Sequence, residues 1–174
     1  ASAVMQLAEA GKINIDQDIK TYIPEFKIKS RFKNPGTITP RTLMTHHSGL
    51  PSDLPYNWQT EKGYPFTSVV ELLNNEYTCT QPNTIFAYSN VGISLLGVLV
   101  EKVSGENFFD YTQKHLFQAM DMKNSSFRLE GDMEQLYSKS YFKGKEFLDP
   151  IIRDVPAGSI HTNALDMAKF IKMT

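Results

Sequence analysis

Cysteine is almost missing from this chain of 174 residues: Cys79 stands alone. That excludes an internal disulfide and a cysteine-built metal cluster. A surplus of either charge is missing too, since 18 Lys and Arg against 19 Asp and Glu leave a net charge of −1. A nucleic-acid partner is therefore not expected, because such binders carry a basic excess. Long apolar runs are absent as well. The longest, Val91 to Val100, is interrupted by Gly92, Ser94 and Gly97 and stops at Glu101-Lys102, about half of the roughly 20 residues a membrane span needs. No G-x-S-x-G elbow, G-x-G-x-x-G fingerprint or phosphate-cradling glycine loop occurs. What remains, with 41% hydrophobic residues, is ample for a buried core and too apolar for disorder.

The patterning divides into short helices and turns. Val4, Met5, Leu7 and Ala8 share a helical face that Gly11 closes. KINIDQDIKTYIPEF reads as an extended segment plus a short helix ending at Pro24, and Lys27, Lys29, Arg31 and Lys33 mark a solvated basic loop. Thr39-Pro40 reads as an N-cap with proline at the first helical position. Residues 51–66, with Pro51, Pro55, Gly63, Pro65 and the aromatics Tyr56, Trp58 and Tyr64, predict a long irregular loop of the kind that often carries function. Ser68 with Glu71 predicts a capping box for a helix to about Glu76. The strongest helix spans Ser89 to Val103 and ends at Ser104-Gly105; another amphipathic helix spans Asn107 to Ala119. SSFRL is expected to be a strand, and the segments around Lys143-Gly144-Lys145 a hairpin. Thr162 or Asn163 caps a last helix, ALDMAKFIKM. Helices, a hairpin and a further helix make an α+β pattern with little room for a parallel sheet.

Few local motifs carry chemistry. His46-His47 are adjacent, so their side chains diverge by about 100° on a helix, and the plain reading is a helix C-terminus with cation-capable side chains against the dipole. A histidine metal site would need His46, His47, His115 and His161 to converge. Asp16-x-Asp18 lacks the glycine and distal glutamate of a calcium loop. Ser30/Lys33 and Ser140/Lys143 both spell S-x-x-K, yet neither a basic loop nor a hairpin desolvates a lysine enough to activate a serine. Tyr88-Ser89-Asn90 precedes the most hydrophobic helix. It reads either as a packing aromatic followed by a helix cap, or as a phenol and an amide set side by side. A phenol carries protons usefully only where nearby cations stabilise its anion.

Five collinear segments then resemble one family, that of the serine β-lactamase and penicillin-binding-protein-like hydrolases, nearest its class C β-lactamase and D-aminopeptidase/esterase branch. They are AVMQLAEAGKINIDQDIKTYIPEF, ITPRTLMTHHSGLP, FAYSNVGISLLGVLVEKVSG, NFFDYTQKHLFQAMDMKNSSF and VPAGSIHTNALDMAKFI. The resemblance spans essentially residues 1–174 and implies a partial domain. Its helix-rich central part would carry a short antiparallel hairpin and an incomplete sheet. It implies a serine nucleophile, an acyl-enzyme intermediate and no cofactor, with a small-molecule or peptide substrate such as a β-lactam, a D-amino-acid peptide or an ester. It also implies an extracytoplasmic location. The family's Tyr-x-Asn motif falls on Tyr88 and Asn90: Tyr88 would share the proton work with the S-x-x-K lysine, and Asn90 would orient that lysine and bind substrate. Ser89 keeps only a capping role. The S-x-x-K is expected about two helical turns before Ala1, and the last active-site strand after Thr174. His47-Ser48-Gly49 follows a helix and is not that strand. Both ends are thus expected to be internal to a longer protein, and the 174 residues alone are expected to be inactive and marginally stable. The alternative is a non-catalytic module that binds peptide or cell-wall fragments through residues 51–66.

Overall fold

The computed structural model describes residues 1–55, 64–147 and 149–173. Tyr56 and Trp58 of the expected functional loop lie outside them. In chain order come α1 (Ser2–Glu9), α2 (Pro40–Met44), α3 (Val69–Asn74), α4 (Asn90–Ser104), α5 (Phe108–Thr112) and α6 (Asp132–Leu136). Strands β1 (Ser140–Phe142) and β2 (Lys145–Phe147) follow, then α7 (Val155–Gly158) and α8 (Ala164–Met173).

Helix α4 organises the rest. Residues from Val91 to Val100 are buried on nearly every side of it, as expected of a helix apolar all round, and it packs against α1, α2, α3, α5 and α7. Its ends follow the sequence: Ser89 caps the start, with Gly92 N–H donating to its Oγ at 2.9 Å. Gly105, at φ 75°, turns the chain out in the left-handed conformation that glycine adopts freely. Gly97 has a packing reason, since a Cβ there would lie 2.5 Å from Pro156 Cγ. Its absence lets α7 sit directly on α4.

Thr39 and Thr42 form a reciprocal capping box at α2 with Pro40 in its first turn, as the sequence predicts. The hairpin also forms, pairing Tyr141 with Glu146 across Lys143 and Gly144, both at positive φ as a two-residue turn requires. Asn163 caps α8 by accepting from Asp166 N–H at 2.9 Å. The helix expected from Asn107 to Ala119 begins as α5 and widens into a π turn over Gln113–Phe117.

Three local expectations fail. Met5, expected on the apolar face of α1 with Val4 and Leu7, is 46% exposed, and Ala3 is buried on that face instead. Ser68 caps nothing: a 3-10 turn over Phe66–Ser68 runs straight into α3. Phe66 is buried against Phe108, ring centroids 5.5 Å apart, so the chain is already helical at Ser68, and its Oγ is buried without a partner among the described residues. SSFRL is not a strand but a single bridge, Ser126 to His161. Ser125 Oγ is drawn to Asp166, 2.9 Å away, and Phe127 turns into the aromatic cluster with Phe108 and Phe117.

Candidate active site

The start of α4 is built by a loop nearly forty residues earlier in the chain. Ser89 arrives extended, at φ −143° and ψ 108°, and its hydroxyl, besides capping Gly92, donates to Pro51 O at 2.7 Å. Asn90 N–H donates to Ser52 O at 2.8 Å, and Ala87 N–H to His46 O at 2.8 Å. Residues 46–53 thus template residues 87–90 through main-chain bonds. Gly49 lets the same loop lie against a second segment: Cys79 N–H donates to Gly49 O at 2.8 Å, and at φ 72° a Cβ there would stand 2.2 Å from Thr80 O.

Tyr88 and Asn90 flank the capping serine. The Tyr88 ring is 52% exposed and stacks on the His46 imidazole, centroids 4.5 Å apart. Its hydroxyl makes no hydrogen bond among the described residues. Asn90 is half-buried, and its Nδ2 donates to Asp53 Oδ1 at 2.8 Å. The other carboxylate oxygen of Asp53 accepts from Ser52 Oγ at 2.6 Å. Phe86, 61% exposed, extends an apolar rim by edge contacts to His46 and His47, each at 5.8 Å.

The plain reading of His46-His47 as cations on a helix dipole is wrong for His46. Helix α2 stops at Met44, and His46 turns to φ 58°, a conformation rare for residues other than glycine. Its Nδ1 accepts the Ser89 N–H at 3.2 Å, which requires an unprotonated Nδ1 and, in the neutral ring, a proton on Nε2. Burial, and secondarily the neighbouring His47, hold its pKa below the ordinary imidazole value. The histidines also do not gather: His115 bonds Glu106 at 2.9 Å and His161 packs edge-on to Tyr137. No three metal-ligating side chains cluster among the described residues.

The discounted motifs have other employment. Asp16 pairs with Arg41 at 2.6 Å, and Asp18 caps a 3-10 turn. Ser140 Oγ bonds Asp149 at 2.6 Å, while Lys143 lies over the Phe142 ring. Two other hollows lie apart from the α4 lip. A half-open apolar pocket of about 240 Å³ is lined by Leu96, Val100, Leu116, Met122 and Phe170 among others, and a wider one of about 600 Å³ is bordered by Glu25, Glu71, Glu101 and Lys102 among others; neither Tyr88 nor Asn90 borders either.

Over residues 1–174 the sequence matches the family described as Beta-lactamase. The chain belongs to the Beta-lactamase family. Relatives include the PbpX protein of Bacillus subtilis (strain 168), 28% identical over 98% of this chain and 42% of that protein. Another is Beta-lactamase-like protein 2 of Dictyostelium discoideum, 25% identical over 97% of this chain and 32% of that one. The chain therefore spans less than half the length of these relatives. Among solved structures, a class C β-lactamase superposes with a TM-score of 0.81 at 24% identity, over 99% of this chain and 46% of that one. A β-lactamase/D-alanine carboxypeptidase from Yersinia pestis gives 0.78 at 20% identity, over 98% and 49%. Family and α+β fold agree with the sequence reading. Tyr88 directly precedes the Ser89 cap, and Asn90 opens the long buried helix. Sequence reasoning missed His46 and Asp53 as their neighbours. The signal was only the position of both within the HHSGLPSD segment.

Proposed function

We propose that this chain is the central part of a serine hydrolase that cleaves amide, β-lactam or ester bonds through an acyl-enzyme, with Tyr88 and Asn90 in its active site. The observation that carries the reading is the lip of α4: a half-exposed phenol and an anchored amide flank the Ser89 cap, held by main-chain bonds from residues 46–53. Preorganised groups of this kind suit acyl transfer.

In this reading the nucleophile lies outside the 174 residues, on an S-x-x-K segment ahead of Ala1. Its serine Oγ attacks the carbonyl carbon and gives up its proton to the Lys–Tyr88 pair. The tetrahedral intermediate collapses, the C–N or C–O bond breaks, and Tyr88 delivers the proton to the leaving group. Water then repeats the sequence on the acyl-enzyme. In this reading the cation that stabilises the Tyr88 anion is the lysine of that outside segment. Asn90 orients the lysine and the substrate. The 174 residues alone then turn over nothing.

The test is covalent labelling of the longer protein with a fluorescent penicillin or a fluorophosphonate, followed by peptide mass spectrometry. The expected result is one serine, acylated by the penicillin or phosphonylated by the fluorophosphonate with loss of fluoride, within an S-x-x-K ahead of Ala1. No labelling by either probe, with binding of a peptidoglycan fragment retained, would instead favour a non-catalytic binding module.

A further inference from the structure

Asn90 is one of two residues on which the proposed chemistry rests, and an asparagine amide is chemically two-ended. One edge donates through Nδ2, the other accepts through Oδ1, and a half-turn about the last side-chain bond exchanges them. A site that uses one edge must prevent that exchange. Here the prevention is visible. Asp53 is an ionisable carboxylate that, ionised, can only accept, and its Oδ1 lies 2.8 Å from Asn90 Nδ2. The flipped amide would bring oxygen against oxygen. Asp53 is in turn held by Ser52, whose hydroxyl donates to Oδ2 at 2.6 Å, and Ser52 O takes the Asn90 main-chain N–H at 2.8 Å. Asn90 is thus gripped at both its main chain and its side chain by two consecutive residues of one loop.

We propose that Asp53 is a positioning residue for the reaction: it locks the Asn90 amide so that Oδ1 is turned away from Asp53 and presented as an acceptor. The group that meets it is an N–H donor, either an ammonium or an amide N–H of the substrate. This role rests on the reading of Asn90 as an active-site residue. The arrangement differs from a helix cap, because α4 is already capped by Ser89 and Asp53 bonds a side chain rather than a free backbone N–H of the first turn. Asp53 is exposed, so substituting it removes the lock without opening the core.

The test reads the amide itself. In protein labelled with ¹⁵N-asparagine, the Asn90 side-chain signals are assigned by their loss in Asn90→Ala. The wild type is expected to give two well-separated amide protons, one of them slow to exchange. Asp53→Ala is expected to collapse that separation and speed exchange, and Asp53→Glu to restore part of it. In the longer, active protein, Asp53→Ala should lower kcat about 10- to 100-fold, the worth of a hydrogen bond to a charged group, with the melting temperature nearly unchanged. An Asn90 amide signal that is the same in wild type and Asp53→Ala would overturn the lock. If the signal changes but Asn90→Ala turns over substrate at the wild-type rate, the lock stands and its catalytic purpose is overturned, which separates this inference from the reading beneath it.

Discussion

Two polar clusters sit barely a turn apart on α4, and they differ in almost every physical respect. The first, Ser52–Asp53–Asn90, lies at the exposed lip of the helix. The second, Ser94–Asp154–Arg153, is sunk into the packed interior: the Arg153–Asp154 pair meets at 2.7 Å with the side chains 0% and 2% exposed. Ser94 Oγ adds a bond to Asp154 at 3.2 Å, and Arg153 also reaches Leu54 O at 3.3 Å. Arg153 thereby ties the end of the 46–54 loop to the element that carries α7. The buried cluster fixes where the helix and the loop stand. The exposed one orients a side chain toward solvent, where a reactant can reach it. The same hydrogen-bond chemistry thus serves architecture at one depth and, in our reading, catalysis at another.

The comparison breaks most visibly at Asp154. Replacing it by alanine removes the Asp154 carboxylate from the buried Arg153, and breaking such a pair costs about 3–5 kcal/mol. The midpoint of denaturant unfolding should fall accordingly. Asp53→Ala, by contrast, should cost under about 1 kcal/mol, because an exposed hydrogen bond is replaced by water. Equal losses at the two sites would erase the distinction.

A smaller effect concerns pH. His46 has a pKa held below its ordinary value, first by burial and then by His47. The unfolded chain therefore binds a proton on this ring more readily than the folded one. The stability linked to the neutral ring is complete above the ordinary imidazole value, and it drains away as the pH falls through the depressed folded value. His46→Gln should flatten that part of the stability–pH curve measured by denaturant titration. A curve unchanged in shape would mean that burial does not hold the His46 pKa down in the folded chain.

Much of the framework is legible in the sequence because its causes are local. Thr39-Pro40 before α2, Ser89 and Gly105 around α4, and Lys143-Gly144 in the hairpin each act within a few residues. Tyr88 and Asn90 are proposed on family likeness, and what the sequence itself shows is their place beside the Ser89 cap. What escapes is whatever depends on distant partners. The His46 bond to Ser89 spans 43 positions and the Asp53 bond to Asn90 spans 37, so no periodicity reports them. Ser68 misleads for the same reason: its capping pattern is sound locally, but the burial of Phe66 begins the helix early. Arg153 is buried completely through partners such as Leu54 O, 99 positions away, which no local pattern reports.

The central claim is that the lip of α4 does chemistry while the interior beneath it does the holding. Tyr88→Phe in the longer protein tests it most directly, since it deletes one exposed oxygen and keeps the ring on His46. The account predicts a fall of about 10²- to 10⁴-fold in acylation or deacylation, the usual worth of a general acid–base group, with the melting temperature unchanged. Turnover at the wild-type rate would contradict it.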